Sequence, residues 1–137
     1  MTDWAQKVVD LVQEALPSVT VYDGQPAEKL EDRPEVHLIV DVNVPALLDE
    51  SITSARDSEI VKWQVRTIVR SGESVKREDA AWSARWHSKK VRDYLVQRRL
   101  RPGGQLVAHT VQTGFVDDQA MASHSTQIQV SQYEAKV

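Results

Sequence analysis

The sequence predicts an α+β fold, a two-layer sandwich of two helices on a mostly antiparallel mixed sheet, in the order α-β-β-β-α-β-β. Three observations carry that expectation. Apolar residues recur at helical spacing in two segments, one at the N-terminus and one past the middle of the chain. Alternating segments bounded by Gly and Pro lie between and after them. The 137 residues suit one domain, with a long irregular loop at about 43–58.

The first helix covers 3–16. Trp4, Val8, Leu11, Val12 and Ala15 share a face, Thr2 can cap the start, and Pro17 ends it. A short strand at 19–22 stops at Asp23-Gly24 and Pro26, and "AEKLEDRPE" reads as a polar connector. "VHLIVDV", 36–42, is apolar enough to be central in a sheet. The clearest strand is 60–70. Val61, Trp63, Val65, Thr67 and Val69 point one way, and Lys62, Gln64, Arg66 and Arg70 the other, with Ile68 the exception. Strands 36–42 and 60–70 pair as a long hairpin around the loop, a connection whose length points to function or disorder.

After "SGES", with Ser74 as a possible N-cap, helical spacing runs over 75–100 until Pro102-Gly103-Gly104. Strands at 106–113 and 126–133 complete the order. Within the second helix Ala80, Ala84, Val91, Tyr94 and Leu95 form the sheet-facing stripe. Trp82 and Trp86 project from the opposite side with Lys89, Lys90 and Asp93. Large aromatics gain most by burial, so something should cover them: the 43–58 loop, another protein chain, or nucleic-acid bases. Aromatic and arginine side chains are enriched at interface hot spots, which suits Trp82, Arg85 and Trp86.

Charge is unevenly spread. Residues 1–59 carry 13 acidic and 4 basic side chains, whereas residues 60–104 carry 4 acidic and 12 basic, within a total of −3. Such a chain can bind an anion or its own copies, or the two sets can meet inside one subunit.

The chain has no cysteine, so disulfides, thiolate metal sites and cysteine nucleophiles are excluded. The N-terminus shows no secretory signal pattern, and no apolar run nears the roughly 20 residues of a membrane span. His37, His87, His109 and His124 lack metal-ligand spacing, and His37 within its apolar strand reads as structural. No phosphate-cradling loop, nucleophile elbow or H-E-x-x-H is present, and "VDD" at 116–118 is commonplace. The expectation is a protein that is not an enzyme and needs no cofactor or metal.

Four features in order resemble the tail terminator (tail-completion) proteins of siphovirus-type bacteriophages. They are an amphipathic helix running into "ALPSVTVYDG", a strand like "VHLIVDV", the stretch "WQVRTIVRSGESVKREDAAW", and "WHSKKVRDYL". The last resembles the family's W-x-A-x-K-V-R-x-x-L pattern, with Ser88 where alanine is common. The resemblance covers roughly 3–104. It implies a hexameric ring on the head-proximal end of the tail tube, within the virion neck after assembly in the host cytoplasm. Its partners would be its own copies, the major tail tube protein and head-completion proteins, with DNA passing through without specific binding.

A ring needs a heterologous interface whose rotation closes. The candidate interface residues are Trp82, Arg85, Trp86, Lys89, Lys90, Arg66, Arg70, Arg98 and Arg99, with Asp49, Glu50 and Asp57 as acidic counterparts. Two other readings compete. One is a neighbouring head-closure or adaptor ring protein. The other is a nucleic-acid-binding module using Arg66, Arg70, Lys89, Lys90, Arg98 and Arg99.

Overall fold

The computed structural model describes residues 3–43, 60–117 and 126–137, with backbone alone for 113–117. Helix α1, Trp4–Ala15, is followed by strands β1, Thr20–Asp23, β2, Val36–Asn43, and β3, Ile60–Arg70. Helix α2, Ala80–Leu95, and strands β4, Ala108–Asp117, and β5, Thr126–Lys136, complete the α+β order. The sheet runs β1-β2-β3-β5-β4; β1 lies parallel to β2 and every other pair is antiparallel. Strands β2 and β3 pair from Val36↔Val69 to Asn43↔Lys62, the hairpin the alternation predicts. The connecting loop, with Asp49, Glu50 and Asp57, lies outside the described residues, as do Asp118 and His124.

Both helices pack on one face of the sheet. Val8, Leu11 and Val12 of α1 and Val91 and Leu95 of α2 share a core with Leu38, Val40, Val61, Trp63, Val65, Tyr133 and Ala135. Beside it, Val69 packs with Ala80 and Ala84, whose small side chains let α2 approach β3 closely. The opposite face of the sheet carries the other half of each alternation. There His37 and Ile39 are fully buried, and Arg66 and Arg70 meet the connector 24–35.

Several element boundaries differ from those the sequence predicts. Asp3, not Thr2, caps α1, its carboxylate accepting the Gln6 N–H at 3.1 Å. The second helix is shorter at both ends than 75–100. At its start Ser74 is no cap. The Glu35 carboxylate, 39 residues earlier, instead accepts the Ser74 and Val75 N–H groups and holds that segment as a turn. A Cβ on Gly72 would collide with that carboxylate, so the close approach needs glycine there. A 3-10 turn, Arg77–Asp79, then leads into α2.

At the other end the chain reverses so that Leu100 and Val107 enter the core. Arg99 and Leu106 form an antiparallel bridge, and Gly103 supplies a φ of +88° within the reversal. Local propensity in "VQRRL" favours continuing the helix, and burial of Leu100 overrides it. Finally, the last two strands run further than the alternation suggests, to Asp117 and Lys136.

Candidate functional site

Two sides of α2 face different surroundings. On the inner side Ala80, Ala84, Val91 and Leu95 are buried, and Ser88 with them, its hydroxyl 3.2 Å from that of Ser131 on β5. Ser131 donates in turn to the Gln112 side-chain carbonyl at 2.6 Å, so the buried hydroxyls have partners. Tyr94 is only half-buried, at the border of the stripe.

The outer side is aromatic and cationic. Trp82 is 59% exposed and Trp86 41%, and their rings stack at 6.4 Å between centroids. One turn of helix separates them, which makes them neighbours on the surface. The Lys90 ammonium sits 5.3 Å from the Trp86 centroid, within cation–π range. His87 stands edge-on to the same ring at 4.9 Å, its Nδ1–H donating to the Ser83 carbonyl at 2.7 Å. Arg85 and Lys89 are exposed on the same face.

Beyond the helix, the Arg98 guanidinium stacks 4.3 Å from the Tyr94 ring, and Arg99 donates to the Gly104 carbonyl at 2.9 Å. Both are exposed and extend the cationic strip past the C-terminus of α2.

Arg66 and Arg70 do not join this surface. They project from the face of β3 away from the helices. Arg66 pairs with Asp41 at 3.0 Å and donates to Gln25 at 3.3 Å. Arg70 is only 9% exposed and donates to the Arg33 carbonyl at 2.9 Å. Both cations hold the connector to the sheet, because a half-buried or buried guanidinium needs partners inside the subunit. Strand alternation already turned them away from the core; it could not show that the connector folds over them.

That connector, polar in sequence, becomes an acidic surface once folded. Glu28, Glu31 and Asp32 are exposed on it, around the 3-10 turn Leu30–Asp32. Arg33 fixes its curvature by donating to the Glu28 carbonyl at 2.9 Å, and the Tyr22 hydroxyl donates to the Glu28 carboxylate at 3.1 Å. The His37 Nδ1–H donates to the Pro34 carbonyl at 3.0 Å, in keeping with a structural histidine, and burial lowers the pKa of this imidazole.

A cavity of about 680 Å³ opens at one end of the sheet among Asp41, Asn43, Lys62, Gln64, Gln132 and Glu134. Tyr133, at its base, is pushed up to about 12 by burial, so its phenol stays protonated. The described histidines do not line this cavity, and its charged groups are mixed in sign. Among the described residues no cluster of three or more His, Asp or Glu could hold a metal ion, and no helix is long and apolar enough to cross a membrane.

Fold and surface together define a class: a two-layer α+β domain that presents an aromatic, cationic helix face to its surroundings. The sequence matches no protein-family model and no curated protein.

Proposed function

We propose that this protein is a non-enzymatic structural component of a siphovirus-type phage. It forms a ring, a hexamer as in the family it resembles, that caps the head-proximal end of the tail tube. The ring stops tube polymerisation and offers the surface to which head-completion proteins join. The observation that carries this reading is the stacked, exposed pair Trp82–Trp86 beside Lys89 and Lys90 on α2.

A lone subunit gains nothing by leaving two indoles in water. Covering them against a neighbouring chain would contribute about 2 kcal/mol each, in the range of interface hot spots. The surrounding cations supply orientation and partner choice. The net charge of −3 also suits a ring through which DNA slides, since a strongly cationic lumen would hold it.

Trp86→Asp tests the proposal. The variant should fold with unchanged stability, measured by circular dichroism. Its ring formation, measured by light scattering, and tail completion, seen by electron microscopy, should fall at least tenfold. Normal assembly by a folded variant would refute the reading.

Two alternatives separate cleanly. A head-closure or adaptor ring would appear on the portal side alone in images of the particle. A nucleic-acid module would bind single strands at low salt and lose affinity steeply as salt rises.

A further inference from the structure

Two charged surfaces lie on opposite sides of the sheet. The segment 80–101 carries seven cations against one carboxylate, and Arg85, Lys89, Lys90, Arg98 and Arg99 among them are exposed on the helix layer. The connector 24–35 carries four carboxylates against two cations, with Glu28, Glu31 and Asp32 exposed and Glu35 held by the Ser74 and Val75 amides. It lies across the other face, tied there by Arg66 and Arg70. Among the described residues the Arg66–Asp41 and Arg92–Asp93 ion pairs do not link the two surfaces. The sheet stands between them.

We infer that the occupant of the Trp82–Trp86 face is the acidic connector of a second copy, centred on Glu28, Glu31 and Asp32. This deepens the ring reading and rests on it. A two-fold dimer through α2 would set cation against cation, which like-charge repulsion opposes. Complementary patches on opposite faces of one subunit instead join head to tail, the arrangement that closes into a ring when the rotation permits. The indoles then cover the apolar edge of the connector, where Leu30 is half-buried, while the cations meet its carboxylates.

The absence of cysteine makes the test direct. Asp93→Cys places a thiol on the outer face of α2 and Ala27→Cys places one on the connector. Both sites are exposed, and neither substitution removes a charge the contact needs. Mixed and oxidised, the two full-length variants should form a disulfide-linked dimer at least tenfold faster than either alone, and salt at 0.5 M, where the Debye length is about 4 Å, should slow it.

Asp93→Cys linking to itself as fast as the mixture would establish a two-fold contact and overturn the inference. So would a mixture no faster than Asp93→Cys with the control Lys7→Cys on α1. If that failure comes with assembly that Trp86→Asp still abolishes, the ring reading stands and the connector assignment falls. Normal assembly of Trp86→Asp removes the ring reading itself.

Discussion

The inner and outer sides of α2 obey opposite rules. Inside, small and branched residues bring the helix close to β3, and the buried Ser88 has a partner: its hydroxyl meets Ser131, and Ser131 meets Gln112. Outside, the two largest side chains of the helix stack on each other, with His87 edge-on to the Trp86 ring and Lys90 over it. The inner side is finished within the subunit. The outer side has the composition of an interface core and the exposure of a surface, the pattern expected where a second chain completes the burial.

Substitutions should separate the two sides. Leu95→Ala, on the inner side, should cost about 3 kcal/mol of folding stability and lower Tm by more than 10 °C, as a buried leucine leaves a cavity. Thermal denaturation checks it. Trp86→Asp should leave Tm within 2 °C while weakening assembly tenfold, about 1.4 kcal/mol of contact energy. A Tm loss as large as that of Leu95→Ala would put Trp86 inside the fold and erase the contrast.

Glu35→Gln probes a third region, the clamp that decides where α2 begins. Losing the charge on the Ser74 and Val75 amides should cost about 1 kcal/mol, less than a buried charged bond because the site is half exposed. Assembly should be spared at equal folded fraction.

The same clamp and His37 set the acid response. Desolvation pushes the Glu35 carboxyl up, but the Ser74 and Val75 amides and the Arg70 charge outweigh it, so its pKa is lowered. Burial likewise lowers His37. Both groups therefore bind protons more readily in the unfolded chain. Their stability contribution is complete above the unfolded values. It falls as pH drops below about 6.5 for His37 and, further down, below about 4.5 for Glu35. Urea denaturation at pH 7.5 and 5.5 should show the first loss, and a flat profile would contradict it.

The smallest effect is expected at Ser88→Ala. One neutral hydroxyl pair is lost and Ser131 keeps Gln112, so the cost should stay within about 1 kcal/mol. A larger loss would mean the polar contact, rather than close approach, seats α2 on β5.

Much of this could be read along the chain. Period-two alternation in 60–70 revealed β3 and both its faces, because a sheet sorts side chains by parity alone. Helical spacing separated Ala80, Ala84, Val91 and Leu95 from Trp82 and Trp86 for an equally local reason. The helix ends were not legible. A carboxylate 39 positions upstream stops one end, and burial of Leu100 and Val107 stops the other. Neither leaves a mark in a local window.

The sequence by itself determined the element order, the sheet-facing stripes and the uneven charge, since each depends on neighbours within a turn or a strand. Only the tertiary structure decided which charges remain available. Folding the connector across the sheet used up Arg66 and Arg70 and left Glu28, Glu31 and Asp32 facing outward. Whether a charged side chain serves inside or outside depends on what the fold lays over it, and that is fixed by contacts between residues distant in sequence.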